Sequence, residues 1–292
     1  MATEPPTSLS ATLAHPGCRS LAIAGLFLSL SVVWVTLVQV AVGVLLVGLQ
    51  LARGGGLADL DPELIEQAFS AELIAIASMV QLLGLGAIAV ALARLQNPDM
   101  RIALALRRAP TAAWVVAGLG GLTVGFFPGW VAQQLLEVVP WLDMGNLDLL
   151  EQALTESSPV GRLLMLTAIC LFAPVLEELV FRGFLWNTLD RALPTWGVWL
   201  LTSMLFAAYH VDPIHVISVF FTGLFLGWLR WIGGSVGPSV AGHFVNNTLA
   251  AVVTFTARTD DDVSVPLSIA LLAAAITVAL GVGGWFGRER AT

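Results

Sequence analysis

The chain is short of charge and has no lysine. Charged residues make up 11% of its 292 positions, and all 13 basic residues are arginine. Soluble domains carry about 25% charged residues, so a soluble class is excluded. With 57% hydrophobic residues and a mean hydropathy of +0.87, the chain reads as an integral membrane protein. It has only two cysteines, Cys18 and Cys170, which excludes a disulfide framework and any cysteine spacing for a metal. Cys18 stands beside the first apolar segment, but no lipoprotein-type apolar run precedes it, and a lone juxtamembrane cysteine is ordinarily incidental. No internal repeat is evident, so a transporter of inverted halves is not supported. Arginine without lysine, with abundant Ala, Gly, Leu and Val, points to a GC-rich bacterial genome, hence to a bacterial inner (plasma) membrane.

What is present is a series of apolar runs. Eight are near the roughly 20 residues that cross a bilayer: 20–50, 71–93, 111–135, 163–189, 195–211, 214–232, 236–256 and 264–286. Residues 1–19 read as a disordered cytoplasmic tail and 20–160 as three spans with their loops. Four spans follow over 161–257, and 258–292 holds the last span and a short cytoplasmic tail. The fold class is all-α, a polytopic transmembrane bundle. The loops sort by charge. Asp59, Asp61, Glu63, Glu66, Asp143, Asp148, Glu151 and Asp260 fall on one side with Arg53, Arg162 and Arg258, and Arg19, Arg94, Arg101, Arg107, Arg108, Arg191, Arg230, Arg288 and Arg290 on the other. The positive-inside rule then puts both termini in the cytoplasm. The 94–110 and 143–158 loops are long enough for surface helices. Tryptophans near span ends (Trp114, Trp130, Trp141, Trp196, Trp285) read as interface anchors.

One apolar run, from Leu163 to Arg182, contains two adjacent acids, Glu177 and Glu178. A charge at mid-bilayer costs about 2.5–3.5 kcal/mol by insertion scales, so such groups are paired, wet or functional. Glu178 and Arg182 are four apart and share a helix face, which suits an ion pair. Glu177 is turned about 100° from its neighbour and is left as a free carboxylate. Pro174, one turn earlier, should kink the span and free a carbonyl. Two further segments repeat the four-residue spacing: Phe206 with His210, and His243 with Asn247. In one cavity these would supply a base (Glu177), a partner for water or metal (His210), and oxyanion donors (His243, Asn247). Amide hydrolysis needs that set. Asn246 is the alternative to Asn247 if the helix is rotated, Phe206 reads as a packing residue that shapes the cavity, and Asp212 and His215 read as a solvated turn.

The motifs EELVFR at 177–182, FAAYH at 206–210 and HFVNN at 243–247, in that order on successive membrane helices, resemble the CPBP intramembrane proteases. That group includes the CAAX prenyl endopeptidases of the Ras-converting type and bacterial bacteriocin-processing or self-immunity proteins. Gly223 to Gly227 and Gly237 to His243 are also similar, so the resemblance covers about 160–257. It implies an endopeptidase in which Glu177 activates water, His210 holds it, and His243 with Asn247 forms the oxyanion site. Glu178, Arg182 and Phe206 support them. The substrate would be a membrane-associated protein or peptide in the lipid bilayer; no nucleic-acid partner is expected. No cofactor is favoured, although zinc held by Glu177, His210 and His243 is chemically possible. Other intramembrane protease classes lack their marks here: there is no serine elbow with a partnered histidine, no pair of intramembrane aspartates, and no HExxH. The rival reading is a non-enzymatic transporter or immunity-type protein that uses the buried polar cluster for binding or proton relay.

These spans place Glu177 near mid-membrane and His243 about a third of the way in from the cytoplasm, but His210 at the outer end of span five. A shared chamber requires either that the 211–213 turn be recessed within the bundle or that the span boundaries lie several residues elsewhere.

Overall fold

The computed structural model describes residues 15–52, 70–139, 155, 157–256 and 265–289. Most of the first tail, the acidic loop segments, the leucine-rich part of the 143–158 loop and Trp141 lie outside the described residues. Among the described residues the regular elements are all helical: α1 (Pro16–Ala52), α2 (Ala71–Gln96), α3 (Thr111–Gly121), α4 (Phe126–Val138), α5 (Pro159–Leu189), α6 (Thr195–Ala208), α7 (Pro213–Gly233), α8 (Gly237–Thr256) and α9 (Leu267–Glu289). The 94–110 loop holds a single turn, Met100–Ala103, capped by Asp99.

Local sequence sets the helix ends. Ser70, Ser158 and Asp212 accept the N–H groups of Leu73, Gly161 and His215 at the starts of α2, α5 and α7, which satisfies amides that have no partner within the helix. Pro159 and Pro213 follow two of these caps in the first helical position, where a missing N–H costs nothing. Gly234, at φ 61°, ends α7 in the left-handed conformation, which glycine adopts without a side-chain clash.

Six helical segments are long and apolar enough to cross a membrane: α1, α2, α3 with α4, α5, α7 and α9. Many of their leucines and valines face outward, Val32, Val44, Leu163 and Val278 among them, as lipid-facing residues do. The chain is an integral membrane protein. Two of the eight expected spans differ. α8 has 20 residues, but Ser239, His243, Asn246, Asn247 and Thr248 dilute its apolar character. α6 has only 14 residues, about 21 Å at 1.5 Å per residue, which is short of the roughly 30 Å hydrocarbon core. At that length it does not reach across, and it ends at Ala208.

The chain reverses there by a tight turn. Val211 has φ 63°, and the Asp212 N–H returns to the His210 carbonyl at 2.6 Å. Val211 itself is 80% exposed, so the turn as a whole is not recessed; His210 nonetheless lines the cavity that holds Glu177 and His243. Asp212 is buried as the cap of α7; the expectation of a solvated turn is corrected. Pro213 fixes its own φ in the first turn of α7.

The core lies where α5, α6 and α7 meet α1, α2 and α3. Phe181, Phe184 and Leu185 of α5 pack there with Phe206, Leu226 and Leu229. Gly121 of α3 faces Gly242 of α8 so closely that a Cβ on Gly121 would stand 2.7 Å from the Gly242 carbonyl oxygen. Small residues at such crossings bring membrane helices into backbone contact. Trp285 stacks on Trp228 at 5.4 Å and packs edge-on against Trp231, so it joins an aromatic cluster and does not act as a lone anchor. Trp114 and Trp196 remain exposed near helix ends.

Candidate active site

α5 is wound unevenly. π-helical stretches at Ala168–Phe172 and Leu179–Leu185 flank a short α segment, Ala173–Glu178, that carries both acids. π-bulges are rare and concentrate at functional sites. The first has a chemical cause. In an i→i−5 ladder Ala173 bonds the Ala168 carbonyl, and the next donor, for Ile169, would be the N–H of residue 174. Pro174 has none. Asn247 of α8 supplies it instead, with its Nδ2 donating to the Ile169 carbonyl at 2.9 Å. The carbonyl expected to be freed by Pro174 thus pins α8 to α5. In the second π stretch the Arg182 carbonyl accepts from Nε of Arg230 at 2.9 Å, while Nη2 of Arg230 donates to Asn187 Oδ1 at 2.8 Å.

The adjacent acids divide as their angular separation implies. Glu178 Oε1 accepts from Arg182 Nη1 at 2.8 Å, both side chains being fully buried. Arg182 also donates to the Gly223 carbonyl at 2.8 Å, and its guanidinium lies 4.3 Å from the Phe206 ring centre. Hydrogen bonds and a cation–π contact replace part of the water this charge has lost, while Arg182 Nε and Glu178 Oε2 are buried without a hydrogen-bond partner among the described residues. Glu177 faces the other way, into a cavity of about 620 Å³.

The same cavity is lined by Phe206, His210, His243 and both Asn246 and Asn247. Nδ1 of His243 is 3.2 Å from Glu178 Oε1, and its Nε2 is 4.0 Å from Glu177 Oε2. A carboxylate paired with arginine only accepts, so Nδ1 carries the hydrogen and Nε2 is turned to Glu177 and the cavity. Nδ1 of His210 bonds the Phe206 carbonyl at 2.9 Å, which again leaves Nε2 for a ligand. The Phe206 ring packs edge-on against both imidazoles, at 5.2 Å and 5.7 Å, in agreement with a residue that shapes the chamber.

Asn247 and Asn246 share the wall, but Asn247 spends one amide hydrogen on Ile169, and its Oδ1 accepts from Asn246 at 3.4 Å. The sequence reading missed three wall residues. His215 is half-buried in the cavity wall, with its ring 4.7 Å from that of His210, so it is not part of a solvated turn. Tyr209 and Gln81 also line the chamber, and Gln81 Nε2 donates to the Tyr209 hydroxyl at 2.7 Å. The i+3 spacing of His215 from the capping Asp212 was the available sign for the first. Gln81 belongs to a different span and had none.

Among the described residues no group of three His, Cys, Asp or Glu is arranged to hold a metal ion. Glu177 with His243 makes only a pair at 4.0 Å. Each imidazole holds its Nδ1 on a protein acceptor and leaves Nε2 free, an arrangement that suits a bound water and a metal alike.

Residues 159–249 match the family model for Rce1-like proteins, type II CAAX prenyl endopeptidase Rce1-like. The matched segment runs from the start of α5 into α8 and contains all three motifs. That segment is thus similar to the type II CAAX prenyl endopeptidases. No curated protein and no solved structure matches the chain.

Proposed function

We propose that the chain is an intramembrane endopeptidase that hydrolyses a peptide bond of a membrane-associated protein or peptide by a glutamate-activated water, without a metal. The observation that carries this reading is the convergence of Glu177, His210 and His243, from three helices, on one polar chamber inside an apolar bundle. A water in that chamber donates one hydrogen to Nε2 of His210 and gives the other to Glu177 as its oxygen attacks the carbonyl carbon. The carbonyl π pair moves to oxygen, and His243, as the imidazolium, with the second amide hydrogen of Asn247 stabilises it. The C–N bond then breaks, and the leaving nitrogen takes the proton from Glu177. The charge sorting of the loops supports both termini on the cytoplasmic side of a bacterial inner membrane, with 161–257 as the catalytic core.

The test compares new peptide termini in membranes holding the wild-type chain or Glu177→Ala, His210→Ala or His243→Ala. Each variant is expected to remain in the membrane and to generate none of the wild-type termini. If all three yield the wild-type set, the proposal is wrong; transport driven by an ion gradient in sealed vesicles, with no cleaved product, would establish the non-enzymatic alternative.

A further inference from the structure

The donors available to an oxyanion in this chamber are fewer than its polar lining suggests. His243 commits Nδ1 to Glu178, and His210 commits Nδ1 to the Phe206 carbonyl. Ser218 donates its hydroxyl to the Ile214 carbonyl at 3.2 Å, and Asn247 gives an amide hydrogen to Ile169. Tyr209 differs. Its oxygen is the acceptor of the 2.7 Å bond from Gln81, so its own O–H is left to donate. A hydroxyl that accepts while donating is a stronger donor, because the incoming bond polarises it.

The ring is held firmly. Tyr209 follows the last turn of α6 and directly precedes His210. Its ring is 6.1 Å from Phe181 and 5.7 Å from the His210 imidazole, centre to centre. Tyr209 is also within the electrostatic reach of Glu177. Gln81, its partner, is fixed through its own backbone, whose carbonyl accepts from Trp34 Nε1 at 3.0 Å. The phenol is thus a donor oriented in advance in the cavity wall, and such preorganised donors stabilise developing charge.

We infer that Tyr209 is a further catalytic residue, whose phenolic hydroxyl donates to the oxyanion of the tetrahedral intermediate, and that Gln81 is its positioning residue. This rests on the proteolytic reading above and deepens it. No proton is transferred from the phenol: water adds to the carbonyl carbon, Glu177 takes the proton, and the new alkoxide accepts the Tyr209 hydrogen bond until the C–N bond breaks. Unlike His243, the phenol needs no added proton to serve.

The chain has one tyrosine, so biosynthetic replacement of tyrosine by fluorotyrosine alters Tyr209 alone. The assay follows the rate at which new termini appear when purified full-length protein is added to membranes from a host lacking it. Tyr209→Phe is expected to slow that rate by about 10²–10³, the usual loss on removing one oxyanion donor, with unchanged thermal unfolding. Mono- and difluorotyrosine keep the shape but make the phenol progressively more acidic, and are expected to change the rate in graded steps. Gln81→Leu is expected to slow the wild type, to slow Tyr209→Phe no further, and to shift the single fluorine resonance of labelled Tyr209. A Tyr209→Phe enzyme at wild-type rate, or a rate indifferent to fluorination, with Glu177→Ala inactive in the same assay, would overturn this inference and leave the proteolytic reading standing. A fully active Glu177→Ala would overturn both.

Discussion

Nδ1 of His243 lies 3.2 Å from Oε1 of Glu178, the oxygen that also accepts from Arg182 at 2.8 Å. One buried carboxylate oxygen thus joins an ion pair within α5 to an imidazole on α8. The pair does more than neutralise a charge, because it fixes which nitrogen of His243 carries the hydrogen and turns Nε2 toward Glu177.

Removing Glu178 should therefore damage both stability and chemistry. Glu178→Ala strands a fully buried arginine, at a cost of about 3–5 kcal/mol, and releases His243. The expected result is a lower unfolding temperature in detergent, poorer yield and no cleavage. Replacing the pair together, Glu178→Leu with Arg182→Met, should recover most of the unfolding temperature and none of the activity. Recovery of activity in the double variant would show that the carboxylate does not orient the imidazole.

Asn247 and Pro174 are coupled through the Ile169 carbonyl. Asn247→Ala leaves that carbonyl without its donor, a loss of about 1–3 kcal/mol for a buried group. Pro174→Ala restores a backbone N–H at the position the π ladder calls for. In a double-mutant cycle read by thermal unfolding, Pro174→Ala should offset much of the cost of Asn247→Ala; strictly additive effects would sink the idea. If Asn247 also serves the oxyanion, the double variant regains stability but stays slow.

How far the site could be read from the sequence depends on which distances are local. The Glu178–Arg182 pair followed from four-residue spacing, and the opposed direction of Glu177 from helical rotation alone. The three motif segments were visible because buried polar residues stand out against apolar runs. The place of His210 was not, since the 14-residue length of α6 and the left-handed Val211 belong to a turn whose position only tertiary packing sets. The π windings also escaped: proline predicts a lost hydrogen bond, but not that a side chain 73 positions away replaces it. Gln81 was unreadable for the same reason, having no local neighbour that marks it.

Activity should survive metal removal. In the proposed mechanism the Glu177 carboxylate activates the water, and the free Nε2 of each imidazole serves the water and the oxyanion. Prolonged dialysis of purified protein against a chelator is expected to leave the cleavage rate unchanged, and added zinc to give no stimulation. Loss of activity on chelation, restored by zinc, would reassign Glu177 and the histidines as ligands.

The contact between Gly121 and Gly242 provides a test of how closely α8 must be placed. A Cβ on Gly121 would meet the Gly242 carbonyl oxygen at 2.7 Å and Val245 at 2.9 Å. Backbone cannot yield as a flexible side chain can, so α8 must move, and His243 and Asn247 move with it. Overpacking of this kind costs about 1–3 kcal/mol, and a catalytic group displaced by 1 Å can lose about 10² in rate. Gly121→Ala should therefore lower the unfolding temperature and slow cleavage more than the stability loss explains. Gly118, one turn earlier on α3, has open space where its Cβ would be. There Gly118→Ala gains helix propensity, about 0.5–1 kcal/mol, and should leave the rate unchanged. Equal behaviour of the two variants would mean that the close crossing does not set the position of His243; opposite signs in stability, with only Gly121→Ala slow, would show that it does.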